Sequence, residues 1–382
     1  MQGALTWLHS QRSEMVRTLR ALVEASSHTG DKRGVDQASA LLREVVSLDC
    51  EVRASERFGD HLFFHNQRAA GERGAVLVGH IDTVFPRETF AGFREEGAIA
   101  RGPGVLDMKG GLVVVAFALE ALRREGFLEG VPLTFAVVSD EEVGSPESAP
   151  LLAGVARGAD CALVFEAGRK GDAIITRRKG TGAVTVDARG RAAHAGLAHR
   201  DGANALWSLA RWIDRAQSLT DYDRGVTVNV GRVDGGIGKN TVPDSARAEV
   251  DFRYVSALDG ESVVDAMRSL AREVAVEGTS LTISGGVARA ALERTVESAR
   301  LMARYAECQR EAGIGDGEAP LQGGGSDAST TASVGVASID GLGPRGEGFH
   351  TKSEYVDLES MAPKAEALAR FLYGLRESLA VR

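Results

Sequence analysis

Cysteine is scarce in this sequence: there are three, Cys50, Cys161 and Cys308, and no two have C-x-x-C spacing. An odd, scattered set predicts neither a disulfide framework nor a thiolate zinc site. Cys161 stands in the apolar run CALVF and reads as core. Long hydrophobic runs are also missing. No stretch approaches the roughly 20 apolar residues of a membrane-spanning helix, so no membrane partner is expected. Positive charge is in deficit, with 45 Lys and Arg against 53 Asp and Glu and a net charge of −8. That balance argues against a nucleic-acid partner, which wants a basic face. It leaves room for a local basic pocket that holds a small acidic substrate. The opening segment MQGALTWLHSQRSEMVRTLRALVEA reads as an amphipathic helix, without a charged n-region and a following h-region. No signal peptide and a cytoplasmic location are therefore expected. Internal repeats and low-complexity tracts are absent as well.

What is present is ordinary for a globular chain: 382 residues, 43% hydrophobic and 26% charged. That length predicts two domains. In the first part, short apolar strands (75–79, 132–138, 161–165) alternate with helices (111–126, 150–157), which predicts an α/β layered sheet. The middle runs strand 183–188, helix 202–217, strands 226–233 and 246–254, helix 261–276 and strand 280–284. That βαββαβ order is the ferredoxin-like plan. It predicts an inserted domain at 176–288 between two parts of one α/β domain, 1–175 and 289–382. The last part adds helix 292–312, strand 335–339 and helix 358–379.

The chemistry gathers where strands end. The segment VLVGHIDTVFP presents His80 and Asp82 at the close of a strand. Residues two apart in a strand face the same way, so one can ligate a metal while the other orients it. Asp107, in GPGVLDMKGG, is either a helix N-cap or a ligand. VVSDEEVGS places Asp140, Glu141 and Glu142 at the mouth of an apolar run, where unpaired carboxylates would repel one another. Adjacent residues of extended chain point opposite ways, so Glu142 can bind a metal while Glu141 serves as general base. Glu166 (LVFEAG) and His350 (GEGFHTKSEYV) add two more donors. Two histidines and three carboxylates suffice for two ions if one carboxylate bridges, and this donor set suits zinc, cobalt or manganese.

Taken together, GHIDTVFP, GPGVLDMKGG, SDEEVGS, FEAG, GRAAHAG, GGGSDA and GFHTKSEYV resemble the M20 family of metallopeptidases. Within it they resemble the glutamate carboxypeptidase (carboxypeptidase G-like) and aminoacylase branch. The resemblance covers nearly the whole chain. It implies a zinc-peptidase-like α/β catalytic domain with an inserted ferredoxin-like lid that also forms a homodimer. It also implies that Asp107 bridges two Zn²⁺ ions, that His80 and Glu166 complete one, and that Glu142 and His350 complete the other. Glu141 becomes the proton carrier, Asp82 orients His80, and the Asp107–Met108 peptide is cis. His194 (GRAAHAG) matches the histidine that stabilises the oxyanion in the partner subunit. Asn240 and Arg253 match positions that hold the substrate carboxylate, although Arg253 also reads as a structural ion-pair partner. The GGGSDA loop lines the pocket through its backbone. The implied activity is cleavage of a peptide or N-acyl amide bond next to a free carboxylate, by a glutamate carboxypeptidase-like enzyme. An N-acyl-amino-acid deacylase of the acetylornithine deacetylase or aminoacylase type is the second reading. A non-catalytic binding protein on the same fold is a distant third. Arg289 near the end of the inserted segment, and Arg345 and Glu347 before His350, match no role in the pattern.

Overall fold

Three runs of consecutive apolar residues become fully buried strands, and their ends carry the chemistry. The computed structural model describes residues 1–66 and 72–380. The first part of the chain supplies helices α1 (Gln2–Ser10), α2 (Arg12–Glu24) and α3 (Lys32–Val45) and strands β1 (Asp49–Arg53), β2 (His61–Asn66) and β3 (Ala75–His80). Two short strands follow, β4 (Arg94–Glu96) and β5 (Ile99–Arg101), then α4 (Gly110–Arg124), β6 (Leu133–Val138), α5 (Ser148–Ala156) and β7 (Cys161–Val164). The middle holds β8 (Gly180–Arg189), β9 (Ala193–His194), α6 (Ala205–Gln217), β10 (Thr227–Gly235), β11 (Thr241–Val242), β12 (Ser245–Tyr254), α7 (Ala257–Glu273) and β13 (Ser280–Arg289). The chain closes with α8 (Val296–Glu311), α9 (Asp327–Ser333), β14 (Ser338–Ile339), β15 (Gly346–Glu347), β16 (Tyr355–Asp357) and α10 (Met361–Ala380).

These elements form two compact units. One comprises Met1–Arg177, Arg294–Leu321 and Ser326–Arg382; the other comprises Arg178–Glu293 and Gln322–Gly325. The first is built on a six-stranded sheet of order β1-β2-β6-β3-β7-β14. β3, β6 and β7 run parallel and are buried on both faces, which is why they read as near-continuous apolar runs. α4 is apolar all round and lies wholly inside except near its C-terminal end. In parallel sheets ligands collect beyond the carboxyl ends of the strands, and His80, Val138 and Val164 are those ends here. A second, small sheet of order β15-β16-β5-β4 links the chain before Asp107 to the hairpin that carries His350.

The other unit has a four-stranded antiparallel sheet of order β10-β12-β8-β13. Along β8 and β12 buried and less buried residues alternate, and α6 and α7 cover the buried face. Trp212 is fully buried there, and its indole N–H donates to the Met267 carbonyl at 3.1 Å.

The N-terminal part departs from the sequence reading in two details. The N-terminal amphipathic helix is two helices, interrupted at Gln11, whose N–H turns back to the Leu8 carbonyl at 3.0 Å. β1 and β2 were not anticipated. β1 is almost entirely exposed and charged, and β2 carries no clean alternation, so neither has the pattern that marks a strand.

Candidate active site

Asp107 faces two donor groups at once. Its Oδ1 lies 3.4 Å from His80 Nε2, and its Oδ2 lies 3.3 Å from His350 Nε2. Glu166 Oε1 is 3.6 Å from His80 Nε2, and Glu142 Oε2 is 3.1 Å from His350 Nε2. Two triads result, His80–Asp107–Glu166 and Asp107–Glu142–His350, each with its donor atoms within 4.8 Å of one another. Asp107 is the member they share. It is not a helix cap: α4 begins after Lys109 and receives no side-chain capping bond. The Asp107–Met108 peptide is cis.

Two of the donors, His80 and Glu142, are held from behind through Asp82. The His80 ring presents Nδ1 to the Asp82 backbone carbonyl at 3.0 Å. A proton on Nδ1 leaves the Nε2 lone pair free to ligate. The Asp82 carboxylate is completely buried and does a second job. It accepts from the Glu141 N–H at 3.3 Å, the Glu142 N–H at 3.2 Å and the Thr29 hydroxyl at 2.7 Å. One residue thus ties the histidine strand to the acidic turn. Asp140 stands apart from the cluster. It is fully buried and accepts from the N–H groups of Glu147 (2.8 Å) and Ser148 (3.1 Å) and from the Ser148 hydroxyl, fixing the start of α5. Of the three acids in the motif, the first is structural.

The electrostatics describe a site short of positive charge. Burial pushes Glu142 up to about 7. Burial, followed by the charge of Asp107, pushes Glu166 well above the carboxylate range. Hydrogen bonds to Asp107 and then to Glu142 raise His350 to about 10. Burial opposes a charge on His80, but Glu166, Asp107 and Asp82 together hold its pKa well above normal. Asp107 is also penalised by burial, yet its contacts with His350 and His80 keep it ionised. Protons therefore stand where cations would serve better. Among the described residues, Asp107 Oδ1 and Glu142 Oε1 are buried with no hydrogen-bond partner, which is costly for an oxygen of this kind. Two imidazole nitrogens, three carboxylates and two orphaned oxygens fit a pair of divalent cations of the zinc, cobalt or manganese type.

The remaining candidates lie in the other unit. His194 is exposed, and its Nδ1 accepts from the Gly196 and Leu197 N–H groups, both at 3.2 Å. A nitrogen that accepts two N–H bonds is unprotonated, so the ring proton sits on Nε2 and is available for donation. β9 pairs with β11, and the Ala195 N–H donates to the Asn240 carbonyl at 2.9 Å, so His194 and Asn240 share one ladder. Arg253 makes a bidentate pair with Asp251 on its own strand, at 2.9 and 3.0 Å. Its structural ion-pair reading therefore has a concrete partner. Arg345 finds a structural place between Asp172 and Asp357, both at 2.7 Å.

Sequence reasoning passed over Thr29, Asp327 and Glu354. Asp327 accepts from the Ser145 hydroxyl at 2.7 Å and so anchors the far end of the acidic turn. Glu354 is fully buried beneath the Asp107 turn. An acid at a position with no apolar periodicity gives no signal until the fold shows what it touches.

The family model for peptidase family M20/M25/M40 matches residues 76–374. Carboxypeptidase G2 of Pseudomonas sp. (strain RS-16) is 29% identical over 374 residues, covering 96% of this chain and 90% of that protein. The N-acetyl-L-citrulline deacetylase of Xanthomonas campestris pv. campestris is 30% identical over 294 residues, covering 72% and 73% of the two chains. A dinuclear metal-binding peptidase of Bacillus subtilis shares the fold with a TM-score of 0.69 at 14% identity, covering 97% of this chain and 99% of that one. No helix among the described residues is long and apolar enough to cross a membrane. The chain belongs to peptidase family M20/M25/M40 and is a hydrolase of the metallopeptidase class.

Proposed function

We propose that this protein is a dinuclear metal-dependent hydrolase that cleaves a peptide or N-acyl amide bond next to a free carboxylate, as a glutamate carboxypeptidase does. One observation carries the reading: a single buried carboxylate, Asp107, is shared between two triads of ligand atoms. His80, Asp107 and Glu166 would hold one ion, and Asp107, Glu142 and His350 the other, with Zn²⁺ the best match to the donors. Bound there, the two cations would supply Lewis-acid polarisation of the scissile carbonyl and a readily deprotonated water. The protein supplies the rest. Glu141, adjacent to the ligand Glu142 and half-buried, takes the proton of the attacking water and delivers it to the leaving nitrogen. Asp82 keeps Glu141 and Glu142 in register with His80 through the two N–H bonds it accepts.

The second unit completes the proposal as a ferredoxin-like lid and dimerisation element. Its helix and strand order and its β10-β12-β8-β13 sheet support that assignment. The Nε2–H of the partner subunit's His194 would donate to the developing oxyanion. Arg253 and Asn240 would hold the substrate carboxylate, Arg253 by exchanging Asp251 for the substrate. The scatter of the three cysteines, none with C-x-x-C spacing, supports a reducing, cytoplasmic location.

The likeness to an N-acetyl-L-citrulline deacetylase, 30% over 294 residues, keeps an N-acyl-amino-acid deacylase as the second reading. A substrate panel separates the two. It comprises an N-acyl-glutamate, a dipeptide with C-terminal glutamate, acetylornithine and several N-acetyl amino acids, assayed with the metal content of the same sample measured. Fastest turnover of the glutamate-terminated compounds is expected. Fastest turnover of an acetyl amino acid would transfer the protein to the deacylases, and no amide hydrolysis by the metal-loaded protein would overturn the catalytic reading.

A further inference from the structure

Glu354 is fully buried, four residues beyond His350, in the hairpin between β15 and β16. Its carboxylate does not join the donor cluster. Oε1 accepts from the backbone N–H groups of Leu106 (2.8 Å) and Asp107 (2.9 Å), and Oε2 accepts from Gly104 N–H at 3.2 Å. Three N–H groups of one turn therefore converge on one side chain. The turn is shaped to allow this. Gly104 has φ +69°, and a Cβ there would come within 2.4 Å of Thr83 Cγ2, so only glycine fits. The Lys109 N–H closes the turn on the Gly104 carbonyl at 2.9 Å. The Lys109 side chain is buried beside it, and its ammonium donates to the Ala25 carbonyl at 3.0 Å.

We propose that Glu354 is the positioning residue for the shared carboxylate: it fixes the backbone of Asp107 relative to His350, so that the two oxygens of Asp107 face two cations. The proposal rests on the dinuclear reading given above. One hairpin thereby carries both a ligand of the second ion and the clamp on the bridge. A carboxylate is required because it offers acceptors at both ends. A glutamine would turn an amide N–H₂ towards at least one of the three backbone donors. Outer residues of this kind commonly alter metal affinity or activity by about 10- to 100-fold.

The test uses the full-length chain, stripped of metal and titrated with Co²⁺ alone. Wild type, Glu354→Gln, Glu354→Asp and Arg101→Met are compared. Arg101 tethers the same hairpin through the Ser353 carbonyl at 2.8 Å without touching the Asp107 turn. Stoichiometry, affinity and the visible Co²⁺ spectrum are read first, then kcat and KM on the best amide substrate, and the melting temperature of the metal-free protein. Wild type and Arg101→Met are expected to bind two Co²⁺ with the same spectrum. Glu354→Gln is expected to bind the pair at least tenfold more weakly, with an altered spectrum, a kcat at least tenfold lower and KM within twofold. Glu354→Asp, which keeps both acceptors one methylene further back, should fall between, and it carries the test if the glutamine variant does not fold. A lower melting temperature in the Glu354 variants with wild-type Co²⁺ affinity, spectrum and kcat would overturn the proposal and leave the dinuclear reading intact. A wild type that binds no Co²⁺ would overturn both.

Discussion

The acidic centre of the first unit and the His194–Asn240–Arg253 group of the second are built to opposite standards. At the centre, most of the side chains are buried, and the backbone around them is pinned by carboxylates outside the two ligand triads. Asp82 holds Glu141 and Glu142, Asp140 holds α5, Asp327 holds Ser145, and Glu354 holds the Asp107 turn. In the second unit His194 and Asn240 are exposed, and Arg253 is satisfied by a neighbour two residues away on its own strand. Backbone at the centre is held by hydrogen bonds to buried carboxylates, whereas the Arg253–Asp251 pair is open to solvent on both sides. Pre-set geometry suits transition-state chemistry, and an exchangeable partner suits the substrate capture proposed for Arg253, whereas His194 is proposed for the oxyanion.

Predictions follow from that contrast, the largest effect first. Replacing Glu141 by Gln removes the proton carrier without removing a ligand. Steady-state assays should show kcat down by about 10²- to 10⁴-fold, with metal stoichiometry unchanged by mass spectrometry. Loss of metal along with activity would move Glu141 into the ligand set and blur the two regions.

Next in size is Asp82→Asn. Asparagine keeps one acceptor oxygen, so its NH₂ must face the N–H of either Glu141 or Glu142, and the acidic turn loses one of its two anchors. Metal affinity and kcat should each fall by about 10- to 100-fold. A change in KM alone would mean that Asp82 belongs with the capture residues.

Arg253→Ala is expected to do the reverse. KM should rise by about tenfold with little change in kcat, as for an interaction that binds ground and transition states alike. An equal fall in kcat and kcat/KM would place Arg253 among the pre-set groups. No change in either would leave it as the ion-pair partner of Asp251.

The smallest effect concerns protons. In the metal-free protein Glu142 titrates near 7 because it is buried, and His350 near 10 because of Asp107 and Glu142. A cation binds the deprotonated forms, so affinity should rise with pH from below 7 towards 10, and binding at pH 8 should release protons. Calorimetry in two buffers of different ionisation enthalpy counts them. No net release at pH 8 would show that the cluster does not carry its protons as the geometry requires.

The centre was legible because ligands must follow strand ends. Once 75–79, 132–138 and 161–165 read as buried strands, His80, Glu142 and Glu166 followed three neighbouring strand ends, where ligands gather in such sheets. His350 and Asp107 were legible as candidate donors, and only the resemblance gave them their places in the two triads. Both sit in Gly-rich turns, where neither periodicity nor spacing says what is near, and Asp107 alone read better as a helix cap. The supporting carboxylates were illegible for another reason. Glu354 and Asp327 are polar residues whose value lies in three or fewer hydrogen bonds to distant backbone, and no local pattern encodes those. Asp140 misled by position, since an acid beside two others reads as a third member of the cluster until its partners in α5 are seen.

The most direct test of the account is the number of metal ions per chain in purified protein reconstituted with Zn²⁺, measured for wild type and for Asp107→Ala. Two ions per wild-type chain, and loss of both in the variant, is the predicted result, because Asp107 is the shared member of both triads. One ion in wild type, or an Asp107→Ala protein that keeps both, would contradict a centre bridged by that residue.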